Sequence, residues 1–94
     1  MTYHVKFTNA YKKGYKRAKK RGLNMAKLDD VIDTLRRGQE LPSHCRPHSL
    51  SGRYHDVMEC HIESDWLLVY QIKADVLCLY LMRTGTHEDL FEHE

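Results

Sequence analysis

Three histidines, a carboxylate and an arginine stand out for the chemistry their types allow: His48, His61, Asp65, Arg83 and His87. Histidine serves as acid or base because its reference pKa is about 6.5. Arginine grips phosphate oxygens with a planar bidentate fork. Such a set suits RNA cleavage without a metal. That reaction needs a base for the ribose 2′-OH proton, a cation for the charge on the pentavalent phosphate, and an acid for the departing 5′-oxygen. An aromatic such as Trp66 or Phe91 can stack on a splayed base. Simpler roles compete with each assignment. With seven histidines some are incidental, and His4, His44, His55 and His93 belong to no constellation. Asp65 can merely close a turn, Trp66 can be core, Arg83 can be a strand-end ion pair, and Phe91 can pack down the last helix.

The elements that must position this set follow from periodicity. Tyr3 to Phe7 alternates as a strand, and Thr8 suits the N-cap of a first helix. Tyr11, Tyr15, Ala18 and Gly22 form one helical stripe, with Gly22 suited to the C-cap. Asn24 caps a second helix carrying Met25, Leu28, Val31, Ile32 and Leu35 on one face, and Gly38 ends it. Leu41 to Arg53, broken by Pro42, Pro47 and Gly52, reads as loop. Three strands follow, His55 to Ile62, Trp66 to Lys73 and Val76 to Arg83, joined by short hairpin turns. Thr86 caps a short final helix with His87, Leu90 and Phe91. The order β-α-α-β-β-β-α predicts an α+β fold: a helical hairpin packed on a small, mostly antiparallel sheet of three or four strands.

Strand parity sharpens the placement, since successive side chains point to opposite faces. Met58, Cys60 and Ile62 face the helices, which sends His61 to the open face with Val57 and Glu59. Arg83 ends its strand on the parity of Leu77, Leu79 and Leu81. Convergence of the five at one sheet edge then requires the final turn to fold back. Parity also bears on metals. Cys60 and His61 are neighbours that point apart, so they do not readily share an ion, and neither a metal nor a cofactor is expected.

Composition bounds the rest. Hydrophobic residues are 41% and charged residues 30% of 94, which is globular and small enough for one domain spanning residues 1–94. No apolar run approaches the roughly 20 residues of a bilayer span, and the N-terminus has no signal-peptide pattern, so the chain reads as cytosolic. Cys45, Cys60 and Cys78 are an odd count without CxxC spacing, and read as reduced, buried thiols. The net charge of +2 hides an asymmetry, because no acid precedes Asp29. Lys12, Lys13, Lys16, Arg17, Lys19, Lys20 and Arg21 form a basic block that would attract phosphate or an acidic protein. A solvated helix face explains it equally well.

Three segments resemble the YafQ branch of the RelE/ParE toxin superfamily. They are His48-Ser49-Leu50-Ser51-Gly52, the run from Cys60-His61 through Asp65-Trp66 to Tyr70, and Arg83-Thr84-Gly85-Thr86-His87 with Leu90-Phe91. Tyr11, Ala18, Lys27 and Leu28 extend the likeness into the helical half. The resemblance implies a toxin that enters the ribosomal A site and cuts mRNA there. It also implies an inhibitory, acidic antitoxin, with operator DNA contacted only through the antitoxin complex and no membrane partner. By position, His48, His61, Asp65 and His87 match catalytic residues and Arg83 the phosphate-stabilising arginine, while Trp66 and Phe91 match supporting or base-contacting positions. His87 is the acid by analogy, and the base lies among His48, His61 and Asp65. The basic helix resembles a surface for ribosomal RNA. Met58 and Glu59 stand where relatives tend to have a basic residue, which would either weaken a phosphate contact or move it to Arg53 or Arg46. Two other readings fit the same fold: a ParE-like inhibitor of DNA gyrase, and a non-catalytic ribosome or nucleic-acid binder. Reversing Lys12, Lys16 and Lys20 to Glu should weaken ribosome binding and flatten its salt dependence in a sedimentation assay. Unchanged binding at low salt would count against that surface.

Overall fold

Short polar side chains start the two long helices and glycines end them. In the computed structural model, which describes residues 2–50 and 57–91 (Phe91 by its backbone alone), β1 is His4–Phe7, α1 Asn9–Lys20 and α2 Met25–Arg36. The Thr8 side chain accepts the Tyr11 amide at 3.0 Å and that of Asn24 accepts the Ala26 amide at 3.2 Å. Gly22 and Gly38 take the left-handed backbone, φ +77° and +72°, that an L side chain resists. The stripe on α1 differs from the expected one. Gly14 is buried with Tyr11 and Ala18, while Tyr15 is half-buried and Gly22 exposed. On α2, Leu28, Val31 and Leu35 are buried as their spacing predicts.

The remaining elements are β2 (His48–Ser49), β3 (Met58–Glu63), β4 (Trp66–Lys73), β5 (Cys78–Gly85) and α3 (His87–Phe91). Among the described residues they and β1 form a five-stranded sheet in the order β1-β5-β4-β3-β2. β1 runs parallel to β5, and the other pairs are antiparallel. One strand lies inside the segment expected to be loop. His48 and Ser49 pair with Glu59 and Met58. Two residues after a proline show no periodicity, so only the pairing reveals them. The expected start of β3 at His55 lies outside the described residues. Val76 and Leu77 are not strand; a 3-10 turn at Ala74–Val76 passes into Leu77 at φ +51°.

Both faces of the sheet are covered. Tyr11, Ala18, Leu28, Val31 and Leu35 bury one face with Cys60, Trp66, Leu68, Leu79 and Leu81. The other face, expected to be open, carries a smaller cluster of Val57, Leu67, Val69 and Leu90. The three cysteines are buried and unpaired, and burial pushes the Cys60 thiol up to about 12. No helix among the described residues is long and apolar enough to cross a membrane.

Thr84 ties β5 both to β4 and to the helical layer. Thr84, buried in β5, accepts the Trp66 indole N–H at 3.0 Å and donates its own hydroxyl to the Leu67 carbonyl at 2.7 Å. Gly14 lets α1 lie directly on the same strand, because a Cβ there would sit 2.1 Å from the Thr84 carbonyl oxygen. Overpacking of this kind costs about 1–3 kcal/mol. Gly14→Ala should therefore lower the melting temperature by roughly 4–8 °C for each kcal/mol lost. An unchanged midpoint in thermal denaturation would show that α1 does not bear on β5 at this point.

Candidate active site

The pairing register lays out one row of side chains across the sheet. His48 pairs with Glu59, Glu59 with Val69, and Val69 with Arg83. At about 4.8 Å per strand, the row runs roughly 14 Å from His48 to Arg83. His61, opposite Leu67, heads the next row on the same face. Arg83 reaches this face only through an irregularity in β5. Tyr70 pairs with Leu81 and Val69 with Arg83, so Met82 is surplus, a β-bulge. This corrects the parity expectation. Leu79 and Leu81 point into the helix-side core, and regular alternation would have sent Arg83 after them. The bulge turns Arg83 to the other face.

Hydrogen bonds then orient the histidines. Asp65, in the turn between β3 and β4, accepts both the His87 backbone amide at 3.1 Å and its ring Nδ1 at 2.6 Å. A carboxylate only accepts, so Nδ1 carries a proton and Nε2 is the atom facing proton chemistry. Hydrogen bonds from the His87 ring, then from its amide, hold the Asp65 carboxyl below its usual range. The His61 and His87 rings lie 5.8 Å apart. His61 Nδ1 faces the Arg46 guanidinium at 3.3 Å, a pure donor, so Nδ1 accepts and the neutral ring carries its proton on Nε2. His48 meets two acceptors: Nδ1 donates to the Arg46 carbonyl at 2.9 Å, and Nε2 lies 3.2 Å from Glu59 Oε1. Glu59 is only 5% exposed, and its second oxygen has no partner among the described residues.

The final helix that brings His87 in is itself tethered. Thr86 and Asp89 cap it reciprocally: Asp89 accepts the Thr86 amide and donates its own amide to the Thr86 hydroxyl, each at 3.0 Å. Asp89 also meets Arg21 at 2.9 Å and Arg17 at 3.5 Å, which ties α3 to the end of α1. Arg83 Nη1 donates to the Leu90 carbonyl at 3.3 Å. A cleft of about 360 Å³ remains between α1, β5 and α3, with Lys13, Arg17, Arg83 and Asp89 in its wall.

His61, Asp65 and His87 are thus brought together, His48 joins them through Arg46, and Arg83 stands in the row of His48, roughly 14 Å across the sheet from it. Trp66 is not with them. At 2% exposure it is core, its indole spent on Thr84, so it has no face for a nucleotide base. Arg53 and the Phe91 side chain lie outside the described residues. Lys12, Lys13, Lys16, Lys19 and Lys20 are exposed along α1, whereas Arg17 and Arg21 are engaged by Asp89. Sequence reasoning missed Glu59 as a site residue. Its parity with His61 was visible, but its partnership with His48 depends on the two-residue β2. It also missed Asp89, whose signal was the capping spacing Thr86-x-x-Asp89.

Comparison with known proteins gives the family. Residues 3–92 match the family described as the bacterial toxin of type II toxin-antitoxin system, YafQ. The chain belongs to the YafQ toxin family. It is therefore a toxin of a type II system and an endoribonuclease. The mRNA interferase toxin YafQ of Escherichia coli K12 is 33% identical over 88 residues, covering 93% of this chain and 94% of the relative. The YafQ toxin fold also matches in three dimensions. The crystal structure of the E. coli DinJ-YafQ toxin-antitoxin complex superposes with a TM-score of 0.89 at 32% identity, over 97% of this chain and 99% of that one. A metal-bound toxin from Helicobacter pylori matches with a TM-score of 0.89 at 35% identity, over 97% of this chain and all of its own (100%).

The tether of this YafQ-family toxin has a pH signature. The hydrogen bond from Arg21, followed by those involving Thr86, holds Asp89 at about 2, against the opposing effect of burial. A depressed carboxyl stabilises above its unfolded pKa, and that contribution is lost as pH falls through the folded value. Wild type should melt above Asp89→Asn at pH 6, and the gap should close between about pH 4 and pH 2. A gap constant with pH would mean that the ion pairs do not stabilise the fold.

Proposed function

We propose that this toxin cuts mRNA in the ribosomal A site by metal-independent acid-base catalysis through the ribose 2′-OH. The observation that carries the reading is the two-pronged hold of Asp65 on His87, which orients one ring nitrogen for proton transfer and fixes the other. The 2′-oxygen attacks the adjacent phosphorus and loses its proton to a base. The P–O5′ bond breaks, and protonated His87 gives its Nε2 proton to the leaving 5′-oxygen. The products are a 2′,3′-cyclic phosphate and a free 5′-hydroxyl. Arg83 balances the charge that builds on the non-bridging oxygens.

Asp65 is better suited to orient His87 than to act as base, since its Oδ1 takes both the ring and the backbone amide of His87. His61, accepting from Arg46 at Nδ1, presents Nε2–H and suits donation to a phosphate oxygen. The base then falls to His48, whose Nε2 lies 3.2 Å from Glu59 Oε1. Arg46 takes up the phosphate contact that Met58 lacks. The exposed lysines of α1 serve as the ribosomal RNA surface, because phosphates can be met without reading sequence. The partner is an acidic antitoxin, as the DinJ complex of the relative suggests by likeness, with operator DNA contacted only through it.

Primer extension on translated and untranslated RNA tests this. Wild type should cut only the translated message, within codons. His87→Ala and Arg83→Ala should each lower cleavage by about 10²- to 10⁴-fold. Equal cleavage by all three proteins would remove the catalytic assignment. Intact mRNA together with blocked DNA supercoiling would favour the gyrase reading.

A further inference from the structure

We propose that Thr8 is a positioning residue for Arg83, acting through the bulge in β5. The inference rests on Arg83 being the phosphate-stabilising group of the proposed reaction. β1 pairs with β5 as far as Phe7 opposite Leu81, where the regular ladder stops and the bulge begins. Thr8 is the next residue, and it holds both sides of the junction. Its amide donates to the Leu81 carbonyl at 3.1 Å, and its hydroxyl donates to the Met82 carbonyl at 2.6 Å. The same hydroxyl oxygen accepts the Tyr11 amide, so one side chain caps α1 and pins the surplus residue of β5.

The pinned residue decides where Arg83 points. A bulge leaves its extra residue outside the ladder, so the Met82 carbonyl has to find a partner elsewhere. Thr8 supplies it from an element that is already anchored, with Gly14 resting on the Thr84 carbonyl nearly two turns further along α1. Without the hydroxyl donor, the Met82 carbonyl loses that bond, and β5 can relax toward regular pairing, which turns Arg83 toward the helix-side core. A displacement of about 1 Å at a catalytic group can cost 10²-fold in rate.

Helix capping alone would also make Thr8 matter, and three substitutions separate the two roles. Thr8→Ser keeps both the cap and the donor. Thr8→Asp keeps the cap, since Asp caps at least as well as Thr, but has no proton for the Met82 carbonyl. Thr8→Val keeps neither. Cleavage of translated mRNA should stay within about threefold of wild type for Thr8→Ser. It should fall about 10- to 100-fold in kcat for Thr8→Asp, with KM little changed and the melting temperature close to that of Thr8→Ser. In an Arg83→Ala background Thr8→Asp should add no further loss, because its effect passes through Arg83. The Arg83 Nε–H resonance in a ¹⁵N spectrum should move in Thr8→Asp and stay in Thr8→Ser. Wild-type cleavage by Thr8→Asp, or an equal further loss in the Arg83→Ala background, overturns the proposal. An Arg83→Ala protein that cleaves like wild type overturns the role of Arg83 itself, and this inference with it, whereas a failure confined to Thr8→Asp leaves the proposed reaction standing.

Discussion

One surplus residue in β5 sets the geometry on which the site depends. Up to Leu81 the strand gives its apolar side chains to the helix-side core, and after Met82 the same strand serves the opposite face. Regular alternation cannot do both, because the period of two commits each residue to a face along the strand. The bulge lets β5 pack under α1 and still bring Arg83 into a row with Glu59 and His48. It also leaves Thr84 on the helix side, where it joins Trp66 to the backbone of β4. Rigid packing and a half-buried arginine on the opposite face therefore come from adjacent residues.

Three carboxylates give the site its order. Asp65 fixes His87, Glu59 sits against His48, and Asp89 holds α3 to α1. Among the described residues no three His, Cys, Asp or Glu side chains gather as a metal-binding group. The five-residue α3 is too short to be stable alone. Its precision comes from the Thr86–Asp89 cap, from Leu90 in the smaller apolar cluster, and from the pairing of Asp89 with Arg17 and Arg21. Part of the basic block of α1 is thus spent on the toxin's own architecture, and the lysines between these arginines remain exposed for phosphates.

Local signals were legible where a single element explains them. Thr8, Asn24 and Thr86 cap helices because a short polar side chain at each boundary can meet amides that have no partner in the helix. Leu28, Val31 and Leu35 are buried because their spacing makes one face. Cys60 and His61 point apart because neighbours in a strand must. The five chemical residues were named from their types and the family pattern; the fold sets His61, Asp65 and His87 side by side and leaves Arg83 across the sheet from His48. Trp66 was misplaced because an aromatic looks the same in sequence whether it stacks on a base or fills a core.

Residue types, caps and periodicity thus determined the long helices, the longer strands and which side chains can move a proton. Tertiary structure alone decided the directions. The bulge at Met82 has no sequence marker, since it arises from the competition between the ladder of β4 and β5 and the grip of Thr8. β2 exists only because β3 offers an edge to two residues, and with it comes the pairing of His48 with buried Glu59. Such contacts join residues distant in sequence, so their energies are set by which surfaces meet and not by any local pattern.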